Sequence, residues 1–310
     1  MIDRLFGDPG WLWSRVPHPV VLTGWLIARL DAALNRDARA FAARRAAGIL
    51  ALCLLVLLSV GLGMALARLS SWPSLGWVIE VPAVSVLLAQ RSLIDHVRAV
   101  AKSLMAEGLA GGRRAVARIV GRDVTMLDEA GISRAAIESL AENFSDGLVA
   151  PAFWYALFGL PGLFLFKAVS TADSMIGHRS TRHEAFGWAS ARLDDLLNLI
   201  PSRLSALLII LAAAGRDRGS EILAVAVRDA PRHRSPNAGW PEAATAAALG
   251  IALGGPRRYG DLGVDGAWLN GEGRRRAKPS DIQRGIRLID SAWVIVLVGT
   301  GLGGLALWLW

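Results

Sequence analysis

From Gly147 to Phe166 the chain carries no charged side chain, yet Glu142-Asn143-Phe144-Ser145-Asp146 runs straight into this stretch and Lys167 follows it. Apolar sequence of that length belongs in a bilayer or a deep core, and ionisable groups at its edges are expensive there. The fold must bury the apolar stretch and still leave the flanking polar groups usable. Two further uncharged stretches, Ala46–Ala67 and Ser291–Trp310, are long enough to cross a membrane. Hydrophobic residues make up 53% of the 310 positions, and the mean hydropathy is +0.40. That balance excludes an ordinary soluble enzyme and predicts a polytopic membrane protein. Ala46–Ala67 lies too far from the N-terminus for a signal peptide and is expected to persist in the mature chain. The single cysteine, Cys53, sits inside it; it has no intramolecular partner and is expected to be a buried structural thiol.

The formal charge is +8 and all but three of the 34 basic residues are arginine. In a chain this apolar, arginine marks cytoplasmic loops and contacts with anionic headgroups. No zinc-finger spacing, aromatic RNA-binding motif or basic zipper occurs, so no nucleic-acid partner is expected.

The expected fold is all-α: a polytopic membrane helical bundle with broken or re-entrant helices and cytoplasmic helical loops, forming one integral-membrane domain over 1–310. Spans are expected near 46–67, 75–90 and 291–310, with an embedded hairpin at 147–166 and an embedded helix near 204–215. The hairpin follows from charge and sequence. Basic residues lie on both sides of 147–166, which argues against a single crossing, and Gly159-Leu160-Pro161-Gly162 breaks the segment in the middle. Between 91 and 146, Leu93, Ile94, Val97, Val100, Ala101, Leu104 and Met105 make a helical stripe opposite Arg91, Asp95, Arg98 and Lys102. Gly108 and Gly111-Gly112 are expected to end that helix, and another runs from Arg134 towards Asn143.

Four clusters can carry chemistry. Glu138, Glu142 and Asp146 recur at a spacing of four, which puts them on one face if the helix persists and favours a bound cation, a raised pKa or an arginine partner. Lys167, Thr171, Asp173, Ser174, His178 and Arg179 put cations, hydroxyls, a carboxylate and an imidazole within 13 residues. Lysine and arginine can neutralise phosphate, Asp173 can hold a metal ion, and His178 can act as acid or base. In Asp194-Asp195-Leu196-Leu197-Asn198, helical spacing places Asp194 and Asn198 together and turns Asp195 aside, an arrangement suited to Mg2+ and phosphate. Arg228–Gly239, with His233, Ser235 and Asn237, is an irregular loop of phosphate-competent donors followed by Glu242. There is no P-loop, Rossmann glycine fingerprint, His-Glu-x-x-His site or Gly-x-Ser-x-Gly elbow.

Taken in order, these motifs resemble the adenosylcobinamide-phosphate synthase family of cobalamin biosynthesis. The resemblance runs through Gly7-Asp8-Pro9, Pro17-His18-Pro19-Val20, Arg91-Ser92-Leu93 with His96-Val97, and Val120-Gly121-Arg122-Asp123. It is strongest at Glu138–Gly147 with Ala150–Trp154, and continues through Lys167-Ala168, Thr171–His178, Asp194-Asp195, Asn198–Arg203 and Ser235–Gly239. Threonine is expected where Val124 stands. The resemblance implies a multi-pass enzyme of the bacterial inner membrane with its active site facing the cytoplasm. It implies ATP- and Mg2+-dependent amide formation between a corrinoid, adenosylcobyric acid, and (R)-1-aminopropan-2-ol phosphate or the free amino alcohol. ATP is a co-substrate, and the bilayer and other membrane enzymes of the pathway are expected partners.

The catalytic candidates are Glu142, Asp146, Asp173, His178 and His233. The metal candidates are Glu142, Asp146, Asp173, Asp194 and Asp195. Substrate or phosphate would meet Asn143, Lys167, Thr171, Ser174, Arg179, Asn198, Arg203, Ser235 and Asn237. The rival readings are a Mg2+-dependent intramembrane prenyl or lipid-phosphate transferase, which explains Asp194-Asp195 but not the ordered motifs, and a corrinoid transporter or scaffold.

Overall fold

A computed structural model describes residues 15, 18–72, 76–88, 90–178, 180–213, 218–259, 262–264 and 266–309. Arg179 and Trp310 lie outside the described residues. The architecture is almost wholly helical: α1 (Pro19–Leu34), α2 (Phe41–Ser70), α3 (Gly76–Leu87), α4 (Gln90–Val116), α5 (Glu129–Phe144), a π turn (Ser145–Val149), α6 (Ala150–Ile176), α7 (Trp188–Leu197), α8 (Leu199–Ala213), α9 (Gly219–Asp229), α10 (Gly239–Leu249) and α11 (Pro279–Leu309). Two short antiparallel ribbons interrupt the helices after α10: β1 (Leu253–Gly254) pairs with β4 (Trp268–Leu269), and β2 (Arg257–Tyr259) with β3 (Leu262–Val264).

Four stretches are long and apolar enough to cross a bilayer: Phe41–Ser70, Gly76–Val116, Glu129–Ile176 and Pro279–Leu302. The broken pair α7 and α8 makes a fifth if counted as one span. The protein is an all-α polytopic membrane protein.

The chain forms two compact units. One comprises Gln90–Ser145 and Ile200–Trp310; the other comprises Ile2–Ala89 and Asp146–Leu199. Each is organised about one helix. In the first, α5 packs against α4, α10 and α11; its Ile132, Ala135, Ala136, Ile137, Leu140 and Ala141 are fully buried. Asp128 caps its start by accepting from the Gly131 amide at 2.7 Å. In the second, α6 packs against α1, α2, α3 and α7.

α2 meets its neighbours through small residues. Ala47, Ala51 and Leu55 point inward. A Cβ on Gly63 would lie 2.6 Å from the Pro161 Cα, and one on Gly48 would overlap the Phe186 carbonyl. Such close backbone approach is how helices associate in lipid, where hydrophobic expulsion offers no gain. The same periodicity turns Cys53 outward: it is exposed, not a buried structural thiol.

The helices α4 and α6 each turn back on themselves. Gly108 (φ 65°, ψ −155°) and Gly159 (φ 62°, ψ −149°) occupy a backbone region open essentially to glycine alone. Three residues later, a Cβ on Gly111 would lie 2.9 Å from the carbonyl oxygen of Ser103, and one on Gly162 would overlap that of Trp154. Residues eight apart in a straight helix are separated by about 12 Å along the axis, so the chain has reversed. Both corners read Gly-Leu-x-Gly. Gly108 therefore ends the first helical arm, as expected, and a second arm, which includes Gly111 and Gly112, runs on to Val116. Ile94, Val97, Val100, Ala101 and Leu104 of the expected stripe are buried, whereas Met105 is exposed.

Candidate functional site

The turn at Gly159 determines which polar groups can meet. Asp146 lies 13 residues before it and Asp173 lies 14 after it. Arms of that length rise about 20 Å at helical spacing, so both carboxylates stand at the open end of the hairpin. Lys167 projects from the second arm, half-buried and within the electrostatic field of Asp146. Asp173 in turn senses the charges of His178 and of Asp195 on α7. One unit thus brings together Asp146 from the first cluster, Lys167, Asp173 and His178 from the second and Asp195 from the third.

Local structure fixes the details. Thr171 Oγ1 donates to the Lys167 carbonyl at 2.6 Å and Ser174 Oγ to the Ser170 carbonyl at 2.9 Å. Both hydroxyl protons are therefore directed into their own helix. Gly177 ends α6, its amide donating to the Asp173 carbonyl at 2.7 Å, and the Asp173 carboxylate lies over the place where a side chain at 177 would stand. His178, next in the chain, is exposed. On α7, Asn198 Nδ2 donates to Asp194 at 3.0 Å, as the spacing of four requires, while Asp195 turns towards Arg192 at 3.4 Å. Asn198 is buried and its carbonyl oxygen has no hydrogen-bond partner among the described residues.

The loop after α6 is tied down by a separate network. Asn35 donates to Asp31 (2.7 Å) and to the Arg182 carbonyl (3.0 Å), and accepts from Arg44 (2.8 Å). Arg182 closes on Asp31 at 2.7 Å. Burial alone would raise the Asp31 pKa, but the bonds from Asn35 and Arg182 outweigh it and hold the carboxyl below its ordinary range.

The remaining candidates lie in the other unit. The π turn at 145–149 follows α5 and contains Asp146, so the α-helix that carries Glu138 and Glu142 does not extend through it. Glu138 is buried, held by Arg122 and the Gly254 amide, each at 2.8 Å, whereas Glu142 and Asn143 are exposed. Asn143 donates to the Ser139 carbonyl at 2.8 Å. Arg203 donates to Asn237 Oδ1 and to Ser202 Oγ, both at 3.1 Å, and stacks 4.8 Å from the Trp240 ring. His233 Nδ1 accepts from the Ser235 amide at 3.1 Å, while Nε2 faces Glu242 at 3.8 Å. Ser235 Oγ accepts from the amides of Asn237 and Ala238. Arg228 and Arg232 both close on Asp229. Much of the expected phosphate-competent loop is bonded to itself. Trp240 and Gly177 carry geometry that residue chemistry alone did not single out. A glycine four positions after an acid at a helix end is the one signal that marks Gly177.

Among the described residues, no three His, Cys, Asp or Glu side chains form a ready-made metal cage. Mg2+ does not need one, because it usually takes one or two carboxylates with waters and substrate phosphates. Asp146, Asp173 and Asp195, with the orphaned oxygen of Asn198, are hard oxygen donors of that kind and fit such an ion.

The fold is that of a polytopic helical membrane protein, and this constellation gathers carboxylates, a lysine and a histidine at the open end of one hairpin. Over residues 1–289 the chain matches the family described as CobD/Cbib protein. It is 53% identical to "Cobalamin biosynthesis protein CobD" of Sinorhizobium sp, covering 96% of this chain and 93% of the relative. It is also 53% identical to the protein of that name from Rhizobium meliloti (strain 1021), covering 94% and 90%. The identity to that of Brucella suis biovar 1 (strain 1330) is 48%, covering 97% and 93%. No solved structure matches. The chain belongs to the CobD/Cbib family, the adenosylcobinamide-phosphate synthase family, and is an enzyme of cobalamin biosynthesis.

Proposed function

We propose that the enzyme joins the carboxylate of adenosylcobyric acid to (R)-1-aminopropan-2-ol phosphate, or to the free amino alcohol, through a new amide, using ATP. The observation that supports this best is the grouping of Lys167 with Asp146, and of Asp173 with His178 and Asp195, at the open end of one hairpin. A carboxylate is a poor acyl donor because oxide is a poor leaving group. Phosphorylation by ATP makes it an acyl phosphate, which the amine attacks with loss of phosphate. Lys167 meets the transferring phosphate, and exposed His178 accepts the proton released by the incoming ammonium. Asp173, Asp146 and Asp195 would hold Mg2+, which when bound neutralises phosphate oxygens. With both ring nitrogens of His233 engaged, its part in this scheme is to shape the Ser235–Gly239 loop. Arg203 and Asn237 present a corner suited to a phosphate or carboxylate.

The site faces the cytoplasm in this reading, and the membrane is the bacterial inner membrane. Within the same unit, residues 35–45 carry Arg36, Arg39, Arg44 and Arg45 against Asp37 alone, the bias of cytoplasmic loops. The test is to incubate purified protein with adenosylcobyric acid, ATP, Mg2+ and each amine donor, then identify the product by mass. The expected product is the corrinoid plus the amine minus water, formed only with ATP. Consumption of a prenyl diphosphate with the corrinoid untouched, or corrinoid uptake without amide formation, overturns the reading.

A further inference from the structure

A cavity of about 210 Å³ lies within the second unit, between α1, α2, α3 and α6. It exceeds the ~150 Å³ apolar cavity that admits a benzene-sized ligand. Most of its wall is aliphatic, with Val20, Leu26, Leu55 and Leu87 among the lining residues. The hydroxyls in the wall offer a ligand no proton. Thr23 donates to the Pro19 carbonyl (3.0 Å), Ser59 to the Val56 carbonyl (3.0 Å) and Thr171 to the Lys167 carbonyl (2.6 Å). Among the described residues, the one charged group in the wall is Lys167. Such a space repels water and accepts hydrocarbon, with an acidic group favoured beside Lys167.

Its surroundings narrow the occupant further. Leu22, Leu58 and Leu62 line the cavity and are each more than half exposed. Two of them stand on α2, the stretch of highest hydropathy among the candidate spans. The cavity therefore meets the outer face of a spanning helix, whose solvent is acyl chain.

We propose that this cavity is a binding site for one anionic membrane phospholipid, with an acyl chain between α1, α2 and α6 and the headgroup phosphate directed towards Lys167. The cavity shares Lys167 with the proposed amide-forming site, and its test reads lipid binding alone. Full-length protein in mild detergent is delipidated, offered phosphatidylglycerol, phosphatidylcholine or palmitic acid, and examined by native mass spectrometry. One phosphatidylglycerol is retained per chain, at least about fivefold in preference to phosphatidylcholine. Ser59→Phe and Leu55→Trp, which fill the cavity, lower retention about tenfold. Leu57→Phe, at a position 69% exposed and outside the wall, retains it.

A second measurement needs no variant. Phosphatidylglycerol carrying a diazirine in its acyl chain labels the α1, α2 and α6 wall peptides of the wild-type protein. Label confined to outward residues such as Leu57, or equal retention in the filled variants, overturns the cavity as the site. Equal retention of phosphatidylcholine overturns the anionic preference, and uptake of palmitic acid instead of phospholipid overturns the phospholipid as occupant.

Discussion

Asp229 and Asp173 are the same side chain in opposite settings. Asp229, in the α5-centred unit, has no exposed side-chain surface. It accepts from Arg228 at 2.9 and 3.0 Å and from the Asn270 amide at 2.8 Å, with Arg232 at 3.2 Å. Asp173, in the α6-centred unit, is half-buried beside His178 and Asp195, and its carboxylate has no hydrogen bond or ion pair among the described residues. The first carboxylate is enclosed by donors and ties a loop to a helix end. The second has acceptor capacity left for a ligand. Glu138 and Asp281 repeat the enclosed pattern: Asp281 is held by Arg274 (2.7 Å), the Lys278 amide (2.8 Å) and Arg284 (3.0 Å). Removing a buried acid from such a cage is destabilising, because the donors around it lose their partner. An acid left without them is poised for chemistry at a cost in stability.

The sharpest way to break this contrast is Asp173→Asn. It removes a charge that nothing in the fold needs, so the thermal midpoint should hold or rise. Product formation should fall about 10³-fold, ~4 kcal/mol of transition-state stabilisation. A variant that unfolds, or that turns over normally, ends the distinction. Gly177→Ala tests the same carboxylate indirectly, since the new methyl overlaps it. Displacement by about 1 Å is expected to lower product formation about 10²-fold, with the protein still folded. Full activity would show that the Asp173 position is not critical.

Asp229→Ala is the mirror experiment, acting on stability first. Losing charge-assisted bonds in a buried site should cost about 2 kcal/mol, read as a lower thermal midpoint in detergent. Burial alone would raise the pKa of Asp229, but the Arg228, Asn270 and Arg232 contacts outweigh it and hold the carboxyl below its ordinary value. A folded value below the unfolded one means the contribution is complete above about pH 4 and is lost as pH falls through the folded value. The difference in midpoint between wild type and Asp229→Ala should therefore be constant near neutrality and shrink below about pH 4. Asp31, also held low, titrates in both proteins and cancels from that difference. A gap that widens in acid would invert the assigned sign.

The two settings were unequally legible in sequence. The acid-bearing helix face Asp194/Asn198 follows from a spacing of four, and the reversal of α6 from Gly159 and Pro161, because both are local properties of a helix. The candidate spans Phe41–Ser70, Glu129–Ile176 and Pro279–Leu302 overlap the three long uncharged stretches, whereas Gly76–Val116 carries charges from Glu80 onward. The cage around Asp229 does not follow, since one of its donors is the amide of Asn270, 41 residues away. Nor do the Trp240 ring beneath Arg203, the two β ribbons or the outward Cys53. The Arg228–Gly239 loop reads as phosphate-competent by composition alone. Its residues spend much of that capacity on one another, a tertiary property that composition does not carry. The π turn that holds Asp146 likewise depends on packing that composition does not encode.

The two Gly-Leu-x-Gly corners give the smallest and cleanest comparison. One lies in each unit, and both use nearly the same backbone angles. A Cβ at Gly108 would meet nothing within 4 Å, and one at Gly159 only the Pro161 Cδ at 3.9 Å. Alanine at either position therefore faces no crowding, and its cost is the backbone conformation itself, about 1–3 kcal/mol. If the corner is a purely backbone device, Gly108→Ala and Gly159→Ala should lower the thermal midpoint by equal amounts. The flanking residues are not equivalent: position 161 is proline, which presets its own φ and supplies no amide, whereas position 110 is alanine. Pro161→Ala should then soften the second corner without abolishing it, because Gly159 still provides the reversal. A Gly159→Ala loss several times that of Gly108→Ala would show that the apolar surroundings of the second corner, and not its backbone, enforce the turn.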